Sequence, residues 1–82
     1  MYAVNVADLT NRGFDKGCFN MAGMLINPVQ GDIVDAEPKQ IDGHALTLNC
    51  DDERALAIIQ VLRMKANVRA YKQGPRGGWK SI

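Results

Sequence analysis

No acidic side chain follows Glu53 in this 82-residue sequence. The stretch beyond it holds Arg54, Arg63, Lys65, Arg69, Lys72, Arg76 and Lys80. All nine acids stand at or before Glu53, against only Arg12, Lys16 and Lys39, so a balance of −6 is followed by one of +7. The net charge of +1 therefore hides a strong polarity, and the local field, not the sum, governs attraction to phosphates or acidic surfaces.

Other scarcities narrow the field further. One histidine and two separated cysteines cannot supply the four close N/S ligands of a zinc site. Asp32, Asp35 and Glu37 lack the glycine and terminal glutamate of a calcium loop, so no metal and no cofactor is expected. Two cysteines are too few for a disulfide framework at this size. Cys18 and Cys50 are expected as reduced, partly buried thiols, the alternative being one Cys18–Cys50 bridge in an oxidising setting. No apolar run approaches the ~20 residues that span a bilayer. The start, Met1-Tyr2-Ala3-Val4, has no basic region typical of a secretory leader. The expectation is a cytoplasmic protein without membrane contact.

Catalytic constellations are equally sparse. His44 follows a turn, and Cys50, six residues along the same strand, would lie about 20 Å away at ~3.3 Å per residue. No nucleophile, base and orienter are visible together, and neither a Walker pattern nor GxGxxG occurs. The lone Arg76-Gly77-Gly78 is a weak nucleic-acid signal, better read as a flexible hairpin. No catalytic residue is assigned and no enzyme is expected.

Periodicity supplies the fold. Tyr2 to Val6 alternates as a half-buried strand. Asp8 to Gly17 reads as a loop with Phe14 tucked inward. Residues 18–26 fit either a short helix or a strand. Asp15 as a cap and Asn27-Pro28 as a stop favour the helix. Gln30-Gly31-Asp32 marks a turn, and Ile33 to Ala36 a short strand. Pro38 confines the next residues to an edge strand or a bulge. Ile41-Asp42-Gly43-His44 predicts a type I′ hairpin turn on Asp-Gly, leading into a strand over Ala45 to Cys50.

The strongest element is a helix over 51–66. Asn49 or Asp51 can cap it, and Ala55, Ile58, Ile59, Leu62 and Ala66 form its core stripe. Its acids cluster at the start and its bases near the end, as the helix dipole favours. With the helix summing to zero, −3 remains before it and +4 after it. Asn67 stops the helix, Val68 to Lys72 forms a strand, Gly74 to Gly78 turns, and Trp79 to Ile82 returns. The fold expected is α+β: one domain over 1–82, a small single-layer antiparallel sheet packed on the helix 51–66, with a second short helix at 18–26 as one reading and a basic C-terminal strand or hairpin over 67–82.

Two surfaces are candidates for binding. Arg69, Tyr71, Lys72, Arg76, Trp79 and Lys80 interleave cations with rings, a pattern suited to neutralising phosphates and stacking on bases. The same residue types also anchor protein interfaces. The second surface is the helix face Ala57, Val61 and Met64, opposite the core stripe and unusually apolar for a solvated face. The reading is a small non-catalytic binding or regulatory module that contacts an anionic partner, nucleic acid or an acidic protein surface, through its basic aromatic C-terminal segment. The alternative is a protein-binding modulator of a host factor, such as a phage or mobile-element accessory protein, with a homodimer formed through the helix face.

Overall fold

The alternation at the N-terminus does form a strand, and it lies at the centre of the molecule. In the computed structural model, which describes residues 1–20, 23–36 and 39–82, β1 (Tyr2–Asn5) pairs antiparallel with β5 (Ala45–Leu48) on one side and β6 (Ala70–Gln73) on the other. Outside these lie β4 (Lys39–Asp42) against β5 and β7 (Trp79–Ser81) against β6, giving the order β4-β5-β1-β6-β7. A separate antiparallel hairpin joins β2 (Met24–Asn27) to β3 (Asp32–Asp35). Short strands, antiparallel pairing and two α-helices make the fold α+β.

The helix α2 (Asp52–Ala66) forms where its pattern places it. Asp51 caps it by accepting the Arg54 N–H at 2.8 Å, and Asn67 ends it in the left-handed conformation with φ 49°. Ala55, Ile58, Ile59 and Leu62 are buried. They pack with Tyr2, Val4, Leu46, Leu48 and Ala70 from one sheet face and with Leu25 and Val34 from the small hairpin. Two ion pairs hold that hairpin along α2. Arg54 meets Asp35 at 3.1 Å and Lys65 meets Asp32 at 3.0 Å. Partly exposed pairs of this kind contribute at most about 1 kcal/mol each, so the apolar contact between Leu25, Val34 and the helix does more of the holding.

Three expectations are corrected. The stretch read as a loop from Asp8 begins inside a helix, α1 (Val6–Arg12). Asn5 caps it by accepting the Asp8 N–H at 3.0 Å, and Val6 leaves the strand to become its first residue. Of the punctuation that suggested a loop, Gly13 is the left-handed C-cap of this helix. The helical reading of 18–26 gives way to a short 3-10 helix over Lys16–Asn20 followed by the strand β2. Leu25 and Asn27 point inward there and Met24 and Ile26 outward, a period of two. The turn after β4 uses Gly43 and His44 as its central pair, with Asp42 opposite Ala45. Among its residues only Gly43 has positive φ, 61°, which makes it a II′ and not a I′ turn. The expectation for Pro38, and the acid Glu37, lie outside the described residues. Cys18 and Cys50 are free thiols, so the bridged alternative is not formed.

Among the described residues one polar side chain, Asn27, is fully buried, and it holds three segments together. The Asn27 amide donates to the Arg12 carbonyl at 3.2 Å, and its oxygen accepts the N–H groups of Val29 and Gln30, each at 3.1 Å. It thereby ties the end of α1 to the β2–β3 turn. Gly13, which closes α1 at φ 110°, must be a glycine for the same packing. A Cβ there would stand 2.9 Å from Asn27 Oδ1. Replacing Asn27 by alanine removes three hydrogen bonds to the backbone and leaves a small void, at a cost of about 1–3 kcal/mol. A urea unfolding curve of Asn27→Ala should show a lower midpoint at unchanged slope.

Candidate functional site

Three of the seven cations after Glu53 are already paired with acids. Arg54 and Lys65 reach the hairpin acids, and Arg69 reaches Asp8. The Arg69 guanidinium grips both carboxylate oxygens, at 2.9 and 3.1 Å, and its backbone N–H donates to the same carboxylate at 2.9 Å. The bidentate contact is the strong form of the pair. It lowers the Asp8 pKa, chiefly through the side-chain hydrogen bond, against an opposing effect of burial, and it raises that of Arg69 for the same reason. Arg69, expected as a partner contact, thus has a structural role, fastening the start of β6 to α1. Arg63 is also engaged, donating to the Ile82 carbonyl.

The remaining cations, Lys72, Arg76 and Lys80, all sit on the β6–β7 hairpin. Among the described residues none of them forms an ion pair. Register places Lys72 directly opposite Lys80, so two ammonium groups share one face side by side. Like charges in that position are destabilising by roughly 0.2–1 kcal/mol. Lys72 gains some relief by lying over the Tyr2 ring, 5.7 Å from its centroid. Arg76 stands exposed in the turn between the strands.

The two rings point the other way. Tyr71 lies opposite Ser81 and Trp79 opposite Gln73, which makes Tyr71 and Trp79 diagonal neighbours on the face away from the lysines. With Ala3, Ala45, Asn5 and His44 they line a shallow pocket of about 250 Å³, and Trp79 is 43% exposed. His44, expected as a turn residue in solvent, is exposed and forms one wall of this pocket. The six residues grouped from the sequence therefore do not make one patch. They divide into a ring face (Tyr71, Trp79), a lysine face (Lys72, Lys80), a turn cation (Arg76) and a structural bridge (Arg69).

No family model, curated protein or solved structure matches the chain.

Ala3, Asn5, Ala45 and His44 were not picked out as neighbours of the rings. For Ala3, Asn5 and Ala45 the signal was the alternation of β1 and β5, since residues between the core positions must face the opposite side; His44, in the turn, had none. The helix face also divides. Ala57 and Val61 line a groove with Ile33 against β3, about 250 Å³ in volume, whereas Met64, 78% exposed, lies outside it. The apolar surface continues onto the hairpin, where Ile33 is 63% exposed. The thiols offer little chemistry. Cys18 is buried, donating to the Asp15 carbonyl and accepting the Ile26 N–H, and burial, helped by the Asp51 charge, raises the Cys50 pKa. Among the described residues no three of His, Cys, Asp and Glu converge.

The Asp8–Arg69 bridge has a pH signature. A carboxyl whose folded pKa is lowered contributes its full stability above the ordinary carboxylate value and loses it as pH falls through the lowered one. Asp8→Asn should therefore be less stable than the parent at neutral pH and converge with it at the acid end. Urea midpoints measured from neutral to acid pH check this. A gap that stays constant with pH would assign the loss to packing alone.

Proposed function

We propose that this chain is a non-catalytic binding module whose β6–β7 hairpin docks an acidic protein partner. The observation that carries the reading is the cation pair Lys72 and Lys80, directly opposed and without an acid among the described residues, with Arg76 in the adjoining turn. The molecule neutralises Arg54, Lys65 and Arg69 internally and leaves these three to solvent. A carboxylate placed at the pair removes the repulsion and gains two charge-assisted contacts.

The separation of rings from lysines favours a protein over a nucleic acid. Single-stranded nucleic acid is held where cations follow the backbone beside the stacking rings. Here the two lysines are on the far face from Tyr71 and Trp79. Free thiols of low reactivity fit a reducing compartment such as the cytoplasm, and among the described residues no helix is long and apolar enough to cross a membrane.

Immobilised polyglutamate tests the reading. The chain should be retained at low salt and released as salt rises toward about 0.5 M, where screening acts within a few ångströms. Lys72→Glu with Lys80→Glu should abolish retention while far-UV circular dichroism stays unchanged. Equal retention of the reversed and parent proteins would reject the reading. Retention on single-stranded DNA but not on polyglutamate would replace it with the nucleic-acid one.

A second reading rests on the groove between α2 and β3. Val61 is 39% exposed, and together with Ala57 and Ile33 it presents an apolar strip flanked by the two ion pairs to Asp35 and Asp32. A second copy laid along it would form a homodimer. Sedimentation should then show a dimer at high protein concentration and a monomer for Val61→Glu. A monomer in both cases removes the dimer.

A further inference from the structure

We infer that the partner binds as an added strand on the free edge of β7, an extended segment in which acidic and apolar residues alternate. The inference rests on the acidic-partner reading and specifies its geometry. Among the described residues β7 pairs only with β6, so its other side is an open sheet edge.

Hydrogen bonds on either side of the Lys72–Lys80 pair fix which groups that edge presents. Gly74 N–H donates to the Gly78 carbonyl at 2.7 Å, and Ile82 N–H donates to the Ala70 carbonyl at 3.0 Å. Antiparallel strands alternate bonded and non-bonded residue pairs. Lys72–Lys80, midway between those two bonds, is therefore a bonded pair, and the backbone groups of Lys80 turn toward β6. Those of Trp79 and Ser81 turn outward. The edge offers two N–H donors and two carbonyl acceptors, the spacing by which an extended peptide is recognised in strand addition.

Side chains then set the sequence of the incoming strand. A residue opposite Lys80 would share its face and meet Lys80 with Lys72 behind it, which calls for aspartate or glutamate. Residues opposite Trp79 and Ser81 would emerge on the ring face, where Trp79 and Tyr71 offer apolar contact. The division of rings and lysines between faces, which no flat anionic surface would use, is what a strand of period two reads from its edge. It also disfavours a second copy as occupant. The antiparallel register that uses the outward groups of both Trp79 and Ser81 centres on Lys80 and sets one Lys80 against the other. Charge on a short edge strand is the usual guard against such self-pairing.

Two end-blocked peptides of about eight residues, near the usual strand length, test the inference. One alternates valine and glutamate, and the other has the same composition in two blocks. Trp79 is the single tryptophan, so its fluorescence reports on the site directly. The alternating peptide should bind about tenfold tighter than the block peptide, as register-dependent pairing demands. It should slow hydrogen exchange at the Trp79 and Ser81 amides while leaving that of Lys80 unchanged. Lys80→Glu should remove the preference, and methylating alternate amide nitrogens of the peptide in the bonded phase should abolish binding. If both peptides bind equally, with salt sensitivity but no protection at Trp79 and Ser81, strand addition is wrong and the acidic-partner reading stands. If neither binds, both fall.

Discussion

The constraint on which this structure depends is that its first strand lies in the middle of its sheet. β1 gives the backbone groups of Tyr2 and Val4 to β5 and those of Ala3 and Asn5 to β6. Both neighbours come from far along the chain, and both run antiparallel to β1, hence parallel to each other. Parallel strands need a long connection, and α2 supplies it, joining β5 to β6 across the sheet face that carries Tyr2 and Val4. β4 and β7 then extend the sheet outside β5 and β6 and form its two edges.

The same arrangement turns the linear sorting of charge into attraction between halves of the molecule. The acids of the first half and the bases of the second are brought into register as Asp8–Arg69, Asp32–Lys65 and Asp35–Arg54. Each pair joins segments well separated in sequence, and each sits where an element begins or docks. The two hairpin pairs are individually weak, and the bidentate Asp8–Arg69 pair is the stronger contact. Together they fasten α1 and the β2–β3 hairpin to the second half of the chain. Beyond α2, the cations left over are confined to the last hairpin, which has no acid of its own.

Much of this was legible from residues alone, and the failures have physical causes. α2 was readable because fifteen residues repeat one period with caps at both ends. β1 was readable because Tyr2, Val4 and their neighbours alternate. α1 was missed because seven residues hold barely two turns of pattern, and its cap, Asn5, also fits the strand alternation. The piece around 18–26 was misjudged because a single strand with Leu25 and Asn27 inward also satisfies part of a helical spacing. Of the candidate site, the residue types were visible and their directions were partly so. Tyr71 and Lys72 are consecutive in a strand and must point to opposite faces, as must Trp79 and Lys80. The meeting of Lys72 with Lys80 depends on the length of the Gly74–Gly78 turn, which composition does not determine. The capture of Arg69 by Asp8 spans 61 positions, and no local pattern announces it.

On the strand-addition proposal, recognition at this edge divides between its two faces. Exposed ion pairs yield no more than about 1 kcal/mol each in salt, and relief of the lysine repulsion adds a similar amount. Those terms favour an acidic strand over a neutral one but are too small to hold it. Backbone bonds at Trp79 and Ser81 would add affinity without regard to sequence. The indole of Trp79, already half in solvent beside Tyr71, has the most surface left to bury, at roughly 25 cal/mol per Å² of apolar area. Binding strength should therefore come from the ring face and the backbone, and discrimination from the lysine face. Only a ligand with two differently patterned sides engages all three terms at once.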